Sequence, residues 1–228
     1  MSRNLIKRIS TSIVLLSILI FVTFINEYIF ITSIYIIGGI ICIESNNMFL
    51  KLVNSKTLKN KMLKRFDFKF LILNLTTFLY VFFIFCGLSI EIYRQEGSVF
   101  FLYLISICFF TDIGGYIFGK IIGGKKLSKI SPNKTISGTI GSFLFSLLPI
   151  ILFKNLNYLD LEFNLKNITF CFFVSLISQL GDLSISYLKR KSKIKDTGKI
   201  LPGHGGVLDR VDGIIFAMPC SYLLLKMI

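Results

Sequence analysis

The sequence predicts an all-α fold, a polytopic transmembrane helix bundle of about seven spans with its N-terminus in the cytoplasm. Hydrophobic residues make up 54% of the 228 positions and charged residues only 17%, whereas about 25% of the residues in a soluble domain are charged. The apolar residues form runs of about 20 residues, the length of a membrane-spanning helix. Because little chain remains between the runs, we expect one integral membrane domain over residues 1–228.

Apolar runs separated by polar or charged residues define the predicted spans. They lie at residues 10–26, 28–44, 68–90, 98–119, 137–153, 167–188 and 207–226. The first run follows basic residues, as in a signal peptide, but it is long and no small-residue cleavage site follows it. We therefore expect the first run to be a retained membrane anchor.

The basic residues alternate between the segments that connect the predicted spans. Of the 26 Lys and Arg residues, 22 lie in the N-terminal tail, in every second connecting segment or in the first four residues of the span that follows such a segment. Segments rich in Lys and Arg stay on the cytoplasmic side of a membrane, so the net charge of +14 reflects topology. This distribution argues against nucleic acid as a partner and favours membrane lipid and phosphate groups.

The polar residues divide the chain into two parts of different character. Residues 1–105 form mainly apolar scaffold spans, whereas residues 106–228 contain nearly all the side chains that could bind ligands or do chemistry. The five cysteines stand singly in apolar segments, without the spacing of a zinc site or a disulfide framework. We expect the cysteines to be packing residues and the part at 106–228 to be the catalytic half.

The first polar cluster begins with Asp112, an acid inside an apolar run. At this depth it needs a polar partner or a cation, which makes it a candidate substrate-binding residue. Tyr116 lies four residues further on and shares its helical face. Gly115, Gly119 and Gly123 repeat every four residues and form a groove for close helix packing. The same groove is a candidate face for a homodimer.

A basic loop follows this run. Its glycines and lysines approach the spacing of a phosphate-binding P-loop, but Lys126 occupies the position of the Ser or Thr that holds magnesium, and no strand precedes the loop. The sequence therefore excludes a P-loop. Ser131 or Thr135 can cap the next helix, and a helix start beside Lys134 suits an anion. We take Ser131, Pro132 and Lys134 as candidate substrate-binding residues.

The second polar cluster lies near the predicted cytoplasmic end of the span at 167–188. Asp182, Ser186 and Lys189 share one helical face, with Arg190 beside them. A buried acid with basic residues near it suits a cation that is bound together with a phosphate. The structural alternative is an ion pair between Asp182 and Lys189.

The third cluster is the loop that leads into the last apolar run, with the sequence PGHGG at residues 202–206. Glycines allow the backbone to turn its N–H groups towards an anion. The candidate substrate-binding residues here are Gly203, His204, Gly205 and Gly206. His204 is alternatively a structural histidine.

Two acids follow this loop at once. Asp209 and Asp212 are three residues apart, so we expect them on one face of the following helix. Together with Asp182 they could supply the carboxylate oxygens that Mg²⁺ prefers. Acids for magnesium, many basic groups for phosphates and no evident nucleophile indicate phosphoryl or nucleotidyl transfer.

The segment at 186–212 closely resembles the signature of the phosphatidate cytidylyltransferases, also called CDP-diacylglycerol synthases. The resemblance is carried by SYLKR at 186–190, by Lys195-Asp196 after four further residues and by PGHGGVLDRVD at 202–212. The upstream blocks that are similar to the same family are ISPNKTISG at 130–138 and QLGDLSIS at 179–186. The resemblance therefore covers about the C-terminal half of the chain.

The resemblance implies transfer of a cytidylyl group from CTP to phosphatidate, which gives CDP-diacylglycerol and pyrophosphate for phospholipid biosynthesis. It implies Mg²⁺ as the cofactor, held by Asp182 and Asp209 with Asp212 nearby. The catalytic residues it implies are Asp182, Asp209, Lys189, Arg190, Lys195, Asp196 and Arg210, of which the basic ones would neutralise phosphates. Ser186 joins the substrate-binding residues. The active site is expected to face the cytoplasm from a bacterial-type inner (plasma) membrane.

The sequence departs from the family pattern at Ser137, where the family usually has an acid, and at Ser142, where a glycine is common. Two other functions remain open. A CTP-dependent kinase of a lipid alcohol would need a base, such as His204 or Asp196. A transporter with intramembrane acids would place polar residues at matching depths in two related halves.

Overall fold

The computed structural model describes residues 3–57, 68–127, 131, 134–159, 161–203 and 205–227. These residues are mainly helical, and no strand occurs among them. The helices are α1 (Arg3–Ile25), α2 (Glu27–Thr57), α3 (Phe68–Leu79), α4 (Gly87–Ile121), α5 (Ile136–Phe145), α6 (Leu148–Asn155), α7 (Leu165–Lys191), α8 (Leu208–Val211) and α9 (Ile214–Met227), with a π-helical segment at Tyr80–Cys86 between α3 and α4. The predicted all-α class is confirmed.

Four helical stretches within the described ranges are long and apolar enough to cross a membrane. They are Glu27–Val53, Phe68–Ile121, Ile136–Asn155 and Leu165–Lys191. A shorter apolar helix covers Ser10–Ile25. The stretch that begins at Phe68 has 54 residues, more than twice the length of about 20 residues that one span needs. The protein is therefore a membrane helix bundle, and the count of about seven spans and the cytoplasmic N-terminus stay predictions.

Several predicted span boundaries differ from the structure. The span predicted at 28–44 is part of α2, which continues to Thr57. The polar residues at 91–97 are not a loop, because helix runs through them and is broken only at Gly97, with φ of 89°. The run at 207–226 is not one helix, because α8 ends at Val211 and a turn at 212–213 precedes α9. Asp209 lies in α8 and Asp212 in the turn, so the prediction that they share a face of one continuous helix is wrong.

The chain divides into two compact units that interleave along the sequence. One consists of Met1–Gly87 and Leu188–Val211, and the other of Leu88–Tyr187 and Asp212–Ile228. In the first unit, α2 is central and packs against α1, α3, the π-helical segment and α8. At Gly38 of α2, an added Cβ would lie 2.8 Å from the Cys86 sulfur, so this glycine permits the close approach of α2 to the π-helical segment.

In the second unit, α4 packs on α7 through an apolar core with two buried polar contacts. The Tyr103 hydroxyl lies 3.1 Å from the Cys171 sulfur, and the Thr111 hydroxyl donates to Ser175 at 3.0 Å. The five cysteines are free thiols, as the sequence predicts, and burial is greatest at Cys86, Cys108 and Cys171.

Small residues bring α4 and α5 into close contact, also in the second unit. An added Cβ at Gly114 would lie 2.6 Å from the Cβ of Phe145, and one at Gly115 would lie 2.7 Å from the Ser142 hydroxyl. The predicted groove for helix packing is therefore confirmed at Gly115. It is filled by α5 of the same chain, so the groove gives no indication of a homodimer. Gly123 lies beyond the end of α4, with φ of 64°, and is therefore not part of the groove.

Candidate functional site

In the first unit, a buried ion pair joins the last turn of α7 to the short helix α8. The Lys189 ammonium donates to Asp209 Oδ1 at 2.8 Å, and the two side chains are only 11% and 5% exposed. The chain between them forms the loop at 192–207, which we call the signature loop. The pair fixes the two ends of this loop against each other.

Asp209 also binds the backbone of the signature loop. Its Oδ2 accepts the N–H of Thr197 at 2.8 Å and that of Gly206 at 2.9 Å. Burial alone would raise the pKa of this carboxyl, but the hydrogen bonds from Lys189, Gly206 and Thr197 outweigh burial and hold the pKa below its usual value. Asp209 is thus an ionised group whose two oxygens both accept hydrogen bonds.

Glu44 of α2 holds the same loop from another direction. Its carboxylate accepts the N–H groups of Val207 at 3.1 Å and Leu208 at 2.8 Å, and the Thr197 hydroxyl at 3.1 Å. The residue is 2% exposed. Sequence reasoning places Glu44 only at the end of a span and assigns it no function, because nothing local links it to partners more than 150 residues further on.

The signature loop and Arg210 of α8 line an open cleft of about 600 Å³. Its charged lining residues are Lys195, Asp196, Lys199 and Arg210, and the remaining lining residues are Gly198, Leu201, Pro202, Gly203 and Gly205. Three basic groups against one acid favour an anion. The volume falls in the range of about 300–1,000 Å³ that is typical of small-molecule sites. Lys199 belongs to this lining, although the sequence analysis does not single it out.

The glycines shape the tip of the loop. Gly203 and Gly205 have φ of 77° and 87°, a backbone region that residues with a Cβ rarely adopt. The Gly205 N–H donates to the Leu201 carbonyl at 3.2 Å, and the Gly206 N–H donates to Asp209. In this structure the N–H groups of Gly205 and Gly206 thus bond within the chain, and the idea that the loop glycines turn N–H groups towards an anion stays a prediction. Their assignment as substrate-binding residues stays a prediction.

A second acidic cluster lies in the second unit. Asp182 of α7 accepts a hydrogen bond from Ser186 at 3.2 Å and forms an ion pair with Lys134. Its carboxyl group also interacts with that of Asp212. The prediction that Asp182 and Ser186 share one helical face is confirmed. The structural alternative, an ion pair between Asp182 and Lys189, is wrong: Asp182 pairs with Lys134, and Lys189 pairs with Asp209.

Two glycines next to these acids allow them to approach. An added Cβ at Gly181 would lie 2.7 Å from the Phe216 ring, and one at Gly213 would lie 2.9 Å from the Ser178 carbonyl oxygen. Each glycine directly neighbours an acid in sequence, Gly181 before Asp182 and Gly213 after Asp212. Close backbone packing therefore places the two carboxyl groups together.

We expect Gly213→Ala to lower both thermal stability and activity, because the new methyl group must push α9 away from Ser178 and move the adjacent Asp212. A displacement of about 1 Å at a reacting site costs about a hundredfold in rate. Gly39→Ala is the matched control, since its Cβ meets nothing within 4 Å. The melting temperature and specific activity of the two purified variants check this. Equal melting temperatures and equal specific activities in the two variants would show that close packing at Gly213 is not required.

Lys134 lies between α4 and α5, two residues before α5 begins at Ile136. Thr135 caps α5 by accepting the Gly138 N–H at 3.1 Å, which confirms one of the two predicted caps. The Ser137 hydroxyl donates to the Gly123 carbonyl, and the backbone of Leu127 donates to the Lys134 carbonyl at 2.8 Å. Position 137, where the family usually has an acid, thus has a local bonding role.

The other predicted residues are distributed as follows. Asp112 is exposed on α4. Arg190 is exposed at the end of α7 and donates to the Ile194 carbonyl at 3.5 Å. The Ser131 carbonyl accepts the N–H of Lys134 at 3.1 Å. Pro132 and His204 lie outside the described residues, so their predicted roles stay predictions.

The predicted metal ligands do not form a complete site in the described part of the chain, where no group of three or more His, Cys, Asp or Glu side chains is placed to hold a metal ion. Asp182 and Asp212 form a pair of carboxyl groups. Asp209 is occupied by Lys189, Thr197 and Gly206. Metal ligation by these acids stays a prediction.

The described residues define an integral membrane helix bundle in which a basic cleft is lined by the signature loop and Arg210. The chain belongs to the cytidylyltransferase family, whose model matches residues 17–228. It is 46% identical over 136 residues to a phosphatidate cytidylyltransferase of Staphylococcus aureus (strain COL), with 58% of this chain and 51% of that protein covered. The phosphatidate cytidylyltransferase of Staphylococcus haemolyticus (strain JCSC1435) is 43% identical over 135 residues, with the same coverage.

The chain spans about half the length of the curated relatives it matches. The resemblance predicted from the segment at 186–212 is confirmed at the level of the family.

Proposed function

We propose that this chain transfers the cytidylyl group of CTP to phosphatidate, releasing pyrophosphate and forming CDP-diacylglycerol. Membership of the cytidylyltransferase family and the names of the relatives support the reaction. The observation that carries it is the cleft of the signature loop, where Lys195, Lys199 and Arg210 line one cavity. A nucleoside triphosphate is the anion that such a concentration of positive charge suits best.

In the reaction that we propose, a phosphate oxygen of phosphatidate attacks the α-phosphorus of CTP. A new P–O bond forms there, while the bond from the α-phosphorus to the oxygen bridging to the β-phosphorus breaks and pyrophosphate leaves. The attacking phosphate is already ionised near neutral pH, so no side chain has to remove a proton. Lys195, Lys199 and Arg210 would bind the triphosphate and stabilise the charge of the departing pyrophosphate.

Magnesium is part of the proposal, and the donor chemistry of the second unit fits it. The carboxyl groups of Asp182 and Asp212 interact, and the Lys134 ammonium balances the charge at Asp182. Carboxylate oxygens are the ligands that Mg²⁺ takes from proteins. When bound, the ion would neutralise phosphate charge. Metal ligation by Asp209 stays a prediction, and its described contacts give it a loop-holding role.

We also propose that the substrates meet at the cytoplasmic face of the inner (plasma) membrane. The alternation of Lys and Arg between connecting segments supports this orientation. CTP would then approach from water and phosphatidate from the bilayer. The signature loop follows the basic end of α7, which carries Lys189, Arg190 and Lys191 in its last turn.

The purified chain, reconstituted in vesicles with phosphatidate, tests this proposal. CTP carrying a radiolabel on the α-phosphate should transfer label to lipid in the presence of Mg²⁺, whereas label on the γ-phosphate should appear in pyrophosphate. Vesicles without phosphatidate are the control. Label that reaches lipid only from the γ-phosphate would identify a lipid kinase and would refute the proposal, and so would the absence of any transfer.

A further inference from the structure

Glu44 is a buried acid in an apolar helix, and the proposed mechanism gives it no role. It lies in the candidate membrane span Glu27–Val53 and is 2% exposed. An acidic side chain within a membrane-spanning helix costs free energy, and such residues occur chiefly where they have specific partners. The described partners of Glu44 all belong to the signature loop and the start of α8, namely Thr197, Val207 and Leu208.

The loop backbone packs directly on the Glu44 carboxyl group. An added Cβ at Gly198 would lie 2.9 Å from Glu44 Cδ, and one at Gly206 would lie 2.6 Å from Oε1. Neither position has room for a side chain without movement of the acid or of the loop. Gly198 is also a lining residue of the basic cleft. One wall of the cleft therefore lies against Glu44.

Glu44 and Asp209 hold neighbouring groups of the same loop. The Thr197 hydroxyl donates to Glu44 while the Thr197 N–H donates to Asp209. In the same way, the N–H of Gly206 donates to Asp209 and that of Val207 donates to Glu44. Two buried acids from distant parts of the sequence thus fix both arms of the loop, next to the cleft residues.

We propose that Glu44 is a positioning residue that sets the shape of the basic cleft and thereby its affinity for the triphosphate group. The identification of the ligand as CTP rests on the proposed function. The binding of a triphosphate group by the cleft is tested independently of that function. Glu44 acts through the backbone of the signature loop and has no contact with the reacting atoms.

Glu44→Gln is the most direct test, because the side chain keeps its size. The carboxylate accepts N–H donors at both oxygens, whereas the amide NH₂ of glutamine would face one of these donors and leave it unpaired. Thr197→Val removes one donor with little change in shape, and Thr197→Ser restores it. Glu27→Gln is the matched control, since it removes an acid from the exposed start of the same helix.

Three quantities are measured on the full chain in lipid nanodiscs. The first is hydrogen exchange of the backbone amides at 197–208, and the second is the dissociation constant for inorganic tripolyphosphate. The third is the pair of KM values for CTP and phosphatidate. Glu44→Gln should accelerate exchange only in this segment, weaken tripolyphosphate binding and raise the KM for CTP at least tenfold. The KM for phosphatidate should change less than twofold, and Thr197→Val should give a smaller effect that Thr197→Ser reverses.

Two results would overturn the inference. Unchanged exchange at 197–208 in Glu44→Gln would refute the anchoring of the loop. Faster exchange with unchanged affinity for tripolyphosphate would reduce Glu44 to a residue needed for stability alone. If the wild-type protein binds tripolyphosphate but not CTP, the proposed function fails, while a weaker tripolyphosphate affinity in Glu44→Gln still supports the role of Glu44.

Discussion

Asp182→Asn should reduce the proposed cytidylyl transfer by about a hundredfold or more in a protein that still folds. The substitution keeps the size of the side chain and its contact with Ser186, but it removes the charge that faces Lys134 and lies beside Asp212. Loss of a charged ligand from a site of phosphoryl transfer removes several kcal/mol of transition-state stabilisation. Turnover at saturating CTP and Mg²⁺ is the measurement, with size-exclusion chromatography to establish folding.

Glu162→Gln is the matched control for Asp182→Asn, because Glu162 is an exposed acid just before the same helix and bonds only to nearby residues among its described contacts. Binding of Mn²⁺, followed by electron paramagnetic resonance, gives a readout that is independent of turnover. It should weaken in Asp182→Asn and not in Glu162→Gln. Near wild-type turnover and Mn²⁺ binding in Asp182→Asn would remove the carboxylate pair from the mechanism.

Lys189→Met should release the signature loop. It leaves the Asp209 carboxylate buried without its ammonium partner, and breaking a buried pair in this way costs about 3 kcal/mol. We expect faster amide exchange across the loop and loss of activity, because the cleft formed by the same loop loses its shape. Exchange and turnover, measured on one preparation, check both effects.

Lys191→Met removes an exposed positive charge from the same helical turn and should have little effect on either quantity. Lys189→Arg keeps the charge and should recover most of the protection against exchange. Equal exchange in Lys189→Met and the wild-type protein would mean that the pair with Asp209 does not hold the loop.

The apolar pattern was sufficient to predict the fold class, because twenty-residue apolar runs leave the backbone few alternatives to helix in a membrane. It could not predict the continuity of helix through residues 91–97 or the break at Asp212 and Gly213. Both depend on backbone geometry at single residues, such as the left-handed conformation of Gly97. Hydropathy contains no information of this kind.

The candidate site was predicted in part. Residue types and spacing identified the segment at 186–212 and the shared helical face of Asp182 and Ser186, which lie in one helix. They did not identify the partners across the fold, such as Lys134 for Asp182 or Asp209 for Lys189. The clearest omission is Glu44, whose partners include two backbone N–H groups. Every residue except proline offers a backbone N–H, so no residue type marks such a partner.

The central claim is that this chain joins CTP to phosphatidate with release of pyrophosphate. Mass-spectrometric analysis of the products formed by the purified chain, from CTP and a phosphatidate of defined acyl composition, tests it most directly. We predict one CDP-diacylglycerol and one pyrophosphate for each CTP consumed, and neither product with Asp182→Asn. Release of CDP together with a phosphorylated lipid, or consumption of CTP without a cytidine-bearing lipid, would contradict the claim.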